Sequence, residues 1–223
     1  MVHMPFDNRV EAGRALAIEL AHKVTANAVV LALPRGGVPV AFEVADRLRL
    51  PLDVVVVRKI GVPWQPELAM GAIAGNVRVL DEGLIRRIDV PEADLHEVLA
   101  HEEEEARRRE SLYRGGAPPL DLKGKTAILV DDGLATGSSM VAAVRYVRSL
   151  KPAKTIVAVP VASRSAVRRL QAEADEVVCV AVPECFYAVG EWYREFSQVS
   201  DHTVETLLSQ SRRSAGDKDA EAA

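Results

Sequence analysis

Five short runs of apolar, mostly β-branched residues punctuate this chain: AVVLAL (28–33), DVVVVR (53–58), TAILVDD (126–132), TIVAVPV (155–161) and EVVCVAV (176–182). None of them alternates apolar with polar positions. A strand with one wet face alternates; a strand that is apolar throughout is buried on both faces, as in a parallel sheet covered by helices. Helical stretches at 38–48, 137–150 and 165–174 separate the runs. Another opens the chain at 8–23, with Val10, Leu16, Ala17, Leu20 and Val24 roughly on one face and Asn8 and Glu11 spaced for a capping box. The alternation predicts an α/β fold, a parallel sheet of about five strands flanked by helices and joined by right-handed crossovers.

One interval breaks the rhythm. Between Arg58 and Thr126 there is more chain than one crossover needs. GAIAGNVRVLDE (71–82) reads as a small hairpin or an irregular β arm. In DVPE (89–92), Asp89 is placed to cap a helix, with Pro91 in its first turn and Glu92 at the capping-box position. Further along that helix, in HEEEEARRRE (101–110), Glu103, Glu104 and Glu105 each precede an arginine by four residues. This is the pattern of a solvated face with local ion pairs, the alternative being an arginine cluster for phosphate. The polar stretch after Ser209 is expected to be a disordered tail. The expected plan is a single domain over 1–209, with an insertion at about 61–122, a small hood mainly at about 183–209, and the tail at 210–223.

Composition removes several classes of function. The net charge of −4 lacks the basic footprint of a nucleic-acid binder, and at 4% aromatics there is little to stack single strands on. Two cysteines, Cys179 and Cys185, make no disulfide framework, and neither a C-x-x-C nor an H-E-x-x-H pattern marks a zinc site. No run approaches the ~18 apolar residues of a membrane span. The N-terminus does not read as a signal peptide, so the expected location is cytoplasmic.

Chemistry concentrates in ILVDDGLATGSSM (128–140). Asp131 and Asp132 stand at the carboxyl end of a predicted strand, where open α/β sheets bind ligands. Ala135, Thr136, Gly137, Ser138 and Ser139 follow, entering a helix whose first amides and positive dipole end favour an anion such as phosphate. The acids repel phosphate, so they must meet another part of the same ligand, a vicinal diol or a nearby divalent metal. Phosphate and diol together describe ribose 5-phosphate. Walker A and dinucleotide-binding loops are excluded, because no Lys follows Gly137 and PRGGVP (34–39) lacks the G-x-G-x-x-G spacing.

VDDGLATGSSM (130–140) resembles the phosphoribosyl-pyrophosphate (PRPP) signature of the type I phosphoribosyltransferases, and the likeness extends from Ala28 to about Val182. It implies a parallel-sheet core, a hood from terminal segments and a mobile loop after the second strand. It implies that Asp131 and Asp132 bond the ribose hydroxyls and that 135–139 wrap the 5-phosphate. Arg35, Gly36 and Gly37 match the family's pyrophosphate loop, often with a non-proline cis peptide, and Arg58 and Lys59 would reach the pyrophosphate. Mg²⁺ would be held mainly by the ligand, with no direct protein ligand assigned. The expected activity is transfer of ribose 5-phosphate from PRPP to a nitrogenous base, as in nucleotide salvage, with homodimerisation by analogy. A PRPP-binding regulator without turnover and a phosphoribohydrolase are the alternatives. Within the likeness, KIGVPWQPELAMGAIAG (59–75) is similar to a less characterised branch and suits a lid, with Glu67 either a lid carboxylate or a surface residue.

Two positions depart from the pattern. Ala135 stands where enzymes of 6-oxopurines usually carry an acid, which disfavours that acceptor class. Gly133 replaces a bulky aliphatic residue, a change the sequence does not explain. PECFYAVGEWYREF (183–196) gathers Phe186, Tyr187, Trp192, Tyr193 and Phe196, either to stack on a base or to pack the hood. Cys185 has no partner base near it in sequence.

Overall fold

In a computed structural model, residues 6–24 and 27–221 are described, with side chains to residue 214. The ends of the expected domain plan, residues 1–5 and 222–223, lie outside them. The elements run α1 (Arg9–Leu20), β1 (Ala28–Ala32), α2 (Gly37–Leu48), β2 (Leu52–Val54), β3 (Val57–Val62), β4 (Gln65–Ala74), β5 (Val77–Leu80), α3 (Glu82–Arg87) and α4 (Glu92–Arg114). Then come β6 (Thr126–Val130), α5 (Ser138–Ser149), β7 (Lys154–Val161), α6 (Arg164–Gln171), β8 (Glu176–Ala181), a 3-10 turn at Val189–Trp192, and α7 (Asp201–Glu221).

The expected parallel sheet is present, with five strands in the order β2-β1-β6-β7-β8. Its strands are apolar throughout because successive residues feed two cores. Ala28, Val30, Ala32, Ile128 and Val130 face α1, α2, α4 and α7, while Val29, Leu31, Ala127 and Leu129 face α5 and α6. The Asn8 side chain caps α1 by accepting from the amides of Val10 and Glu11. The reciprocal half of the box is displaced by one residue, since Glu11 Oε2 accepts from the Asp7 amide at 2.5 Å.

The run at 53–58 is two strands, not one. β2 ends at Val54, and β3 begins a separate antiparallel sheet in the order β3-β4-β5. The apolar run hides the break because Val55 and Val56, which link the strands, are buried as well. The hairpin reading of 71–82 corresponds to β4 and β5, which pair through Ala74↔Val77. On one face of this second sheet Ile60, Val62, Met70 and Ile73 pack with Leu84 and Leu99. On the other, Ala72 and Ala74 join the core beside α5.

Asp89 does not cap α4. It ends the turn after α3 with φ of 53°, and the α4 cap position is Pro91, without a side-chain bond. The helix missed in the sequence, α3, is capped by Asp81, whose side chain accepts from the Leu84 amide. On α4, Arg108 and Arg109 pull the Glu105 carboxyl down to about 2, and Glu103 bonds Arg78 of β5. Of the three expected i,i+4 pairs Glu105–Arg109 forms, Arg108 turns to Glu105 instead, and Glu103 reaches across to β5.

Two expectations about the C-terminal region are corrected. Helix α7 runs through the expected tail as far as Glu221. Its start belongs to the core rather than the hood, because Val204 and Leu208 pack beside α2 and α4. The hood consists of Phe6 and the segment 183–196. Phe6 bridges Tyr193, its amide bonds the Trp192 carbonyl at 2.8 Å, and its carbonyl accepts from the Arg194 amide at 2.8 Å. Cys179 and Cys185 are free thiols, and burial pushes the first up to about 11. Among the described residues no helix is long and apolar enough to cross a membrane.

Candidate functional site

Strand β6 delivers Asp131 and Asp132 to its carboxyl end, beside the loop that leaves β1. Both are partly buried. A Cβ built on Gly36 would stand 2.1 Å from Asp132 Oδ2, and one on Gly37 would stand 2.7 Å from the Val130 carbonyl oxygen and 2.9 Å from Asp131 Cα. Glycine is required at both positions because the β1–α2 loop lies directly on the acids. The Pro34–Arg35 peptide in that loop is cis.

The four carboxylate oxygens are used unequally. Asp131 Oδ1 accepts from the Asp132 amide at 2.8 Å. Asp132 Oδ2 accepts from Arg9 Nε at 2.9 Å and Nη2 at 2.8 Å. The two carboxyls also meet each other, through a side-chain hydrogen bond between Asp131 and Asp132. Burial pushes the Asp131 carboxyl well above the usual carboxylate range, and the adjacent Asp132 adds to the rise. Burial also raises Asp132, against the lowering effect of Arg9.

Downstream, the loop is pinned from below. The Leu134 amide bonds the Val161 carbonyl at 2.9 Å, and buried Ser163 donates its hydroxyl to the Ala135 carbonyl at 2.6 Å. Ala135, Thr136 and Ser139 stay exposed. Gly137 holds φ of 74° and starts α5 without a side-chain cap. The amide end of a twelve-residue helix therefore opens beside the two acids. Arg169 of α6 donates to Ser138 Oγ at 3.0 Å.

A family model described as a phosphoribosyl transferase domain matches residues 7–194. The chain belongs to the phosphoribosyl transferase family. A Mycobacterium tuberculosis protein named "Putative phosphoribosyl transferase" is 47% identical over 209 residues, covering 93% of this chain and 47% of that protein. The chain thus spans about half the length of the curated relatives it matches. The crystal structure of a Thermus thermophilus protein superposes with a TM-score of 0.79 at 46% identity, covering 93% of this chain and 99% of that one.

Within this member of the family, the fold brings together Gly36, Gly37, Asp131, Asp132 and the loop 135–139. Arg35 lies on the same loop, but its half-exposed guanidinium is directed to Asp201, 3.9 Å away. Arg58 and Lys59 do not stand at the end of the second strand as expected, because β2 stops before them. Both lie in β3, where Arg58 Nε bonds Glu102 Oε2 of α4 at 2.6 Å and Lys59 Nζ bonds the Glu67 carbonyl at 2.8 Å. Glu67 itself is exposed.

The glycine that the sequence left unexplained has a steric reason. A Cβ on Gly133 would stand 2.6 Å from Val189 Cγ1 and 3.1 Å from Val161 Cγ1. The hood fills the space of a side chain there. Four residues at the site carried no sequence signal of their role: Arg9, Ser163, Arg169 and Tyr193. Tyr193, noted only as one of several aromatics, donates its hydroxyl to the Asp132 carbonyl at 2.6 Å, and burial pushes that hydroxyl's pKa far up, so it remains a donor. Its ring stacks on Phe196 at 5.0 Å. Tyr187, at 83% exposure, packs against little.

Proposed function

We propose that this phosphoribosyl transferase moves ribose 5-phosphate from PRPP to a nitrogenous base and releases pyrophosphate. The observation that carries this reading is the pairing, at one strand end, of two carboxylates with a helix start whose cap residue, Gly137, has no side chain to fill it. Asp131 and Asp132 suit the ribose 2- and 3-hydroxyls. The amides and hydroxyls of 135–139 suit the 5-phosphate. The loop of Arg35, Gly36 and Gly37, which its two glycines let lie directly on the acids, sets its backbone beside them for the pyrophosphate.

In the reaction, the bond from the anomeric carbon to pyrophosphate oxygen breaks with its electron pair leaving on pyrophosphate. The base nitrogen then forms the new bond to that carbon. Ala135 offers no group for the proton released by the base, which passes to water or to the departing pyrophosphate. The acids hold the sugar and face the positive charge that develops on it. Among the described residues no group of three or more metal-ligating side chains converges, whereas two adjacent strand-end carboxylates suit the outer shell of a ligand-held ion. Mg²⁺ bound through the oxygens of PRPP would neutralise charge on the leaving group.

Arg58 and Lys59 are the cations that the second sheet offers to pyrophosphate. Arg58→Ala is expected to weaken pyrophosphate binding about tenfold, as for loss of one charge-assisted bond, and ribose 5-phosphate binding much less. Equal losses in calorimetry remove Arg58 from the pyrophosphate site. The decisive test of the activity is labelled PRPP with Mg²⁺ and a panel of purine and pyrimidine bases. One nucleotide monophosphate is expected. Free ribose 5-phosphate with pyrophosphate, and no nucleotide, would instead mark a hydrolase, and binding without any turnover would mark a regulator.

A further inference from the structure

We propose that Arg9 is a positioning residue of this site: it takes one oxygen of Asp132 and so fixes the rotamer that the acid pair presents to the diol, and its charge allows both acids to be ionised together. The diol part rests on the PRPP reading; the electrostatic part does not.

Arg9 commits all of its nitrogens. Nε and Nη2 converge on the single atom Asp132 Oδ2, and Nη1 donates to the Ser197 carbonyl at 2.8 Å. Its guanidinium carbon lies 3.9 Å from the centroid of the Phe196 ring. Held on a ring, a carbonyl and a carboxylate at once, it cannot follow Asp132 to another rotamer without losing two other contacts. A side chain serving only to fasten the hood could have bonded backbone. This one spends two donors on one carboxylate oxygen.

The electrostatic need is plain from the neighbours. Two carboxylates adjacent in sequence and partly buried repel each other, and desolvation disfavours both charges. The titratable and charged groups around the pair are few. Helix α1 contributes Arg9, and the hood contributes Tyr193, whose hydroxyl donates to the Asp132 carbonyl. The β1–α2 loop contributes the uncharged Gly36 and Gly37, with Arg35 directed to Asp201. The β7–α6 turn contributes Ser163, bonded to the Ala135 carbonyl. Arg9 is the one cation among them that touches the pair.

Arg9→Met keeps the length and the apolar contact with Phe196 but removes every donor and the charge. Arg9→Lys keeps the charge with a single ammonium. In the free protein, a carbon-NMR titration of the aspartate carboxyls is expected to move the midpoint of the pair up by at least about one pH unit in Arg9→Met, the size of a nearby-charge effect, and to return most of the way in Arg9→Lys. PRPP calorimetry is expected to show a loss of about tenfold or more near neutrality in Arg9→Met, largely regained about two pH units higher, as follows from a unit shift in a required ionisation. An unchanged carboxyl titration in Arg9→Met, or a loss of affinity that is the same at every pH, overturns the proposal. If the parent protein fails to bind PRPP, the diol part falls with the PRPP reading, while the titration still decides whether Arg9 governs the ionisation of the pair.

Discussion

Asp131→Asn combined with Asp132→Asn is expected to cut PRPP affinity by about 100- to 10,000-fold, since hydrogen bonds to charged groups are worth roughly 1.5–3 kcal/mol each and two would be lost. Calorimetry of the parent and the variant measures this directly. Affinity within a few-fold of the parent would remove the acids from the ribose site. The single variant Asp131→Asn carries a second expectation of opposite sign. Burial, and then Asp132, hold the Asp131 carboxyl above its unfolded value. A carboxyl raised on folding contributes stability below its unfolded pKa of about 3.9 and loses that contribution as pH rises through the folded pKa. Asparagine removes the penalty, so this variant is expected to melt a few degrees higher than the parent near neutrality, about 2–4 °C for each kcal/mol recovered in a chain of this size. The gain shrinks on acidification below the unfolded pKa. A variant that binds less and melts higher identifies the acid pair as a strain kept for ligand binding.

The second large effect is expected at Gly37→Ala. The added methyl would stand 2.7 Å from a backbone carbonyl oxygen and 2.9 Å from a backbone Cα, atoms that cannot rotate away as a side-chain end can. Overpacking of this kind costs about 1–3 kcal/mol, which would lower the melting temperature by several degrees. It would also lift the β1–α2 loop off Asp131, so pyrophosphate and PRPP binding are expected to fall together. Unchanged melting with unchanged affinity would show that the loop has room there that the geometry denies.

Much of this architecture could be read from residue order because parallel strands buried on both faces leave uninterrupted apolar runs. That rule placed β1, β6, β7 and β8 and, with them, the strand end bearing Asp131 and Asp132. The same rule concealed the break between β2 and β3, since burial continues through Val55 and Val56 while the chain changes sheets. The positions of Arg58 and Lys59 were misread for that reason. Asp89 has the residue type and spacing of a helix cap, but α3, too short to show periodicity, claims the turn before it. Gly36 and Gly37 were recognisable by their likeness to a known loop. The reason for Gly133 lies 56 residues away, in Val189, and could not be seen in its own segment. Arg9 is one charge among several on an amphipathic helix; its partner is 123 residues distant in sequence, and local pattern carries no trace of such a pairing.

The hood is closed by residues from opposite reaches of the chain, Phe6 against Tyr193 and Asp7 against Arg194, the latter pair 187 residues apart in sequence. During synthesis the five parallel strands have all emerged once residue 181 leaves the ribosome, before the partners of Phe6 and Asp7 follow them out. A nascent domain can therefore stack its sheet and helices while the corner around Asp131 and Asp132 still stands open, and the last stitch arrives only with the aromatic segment that follows β8.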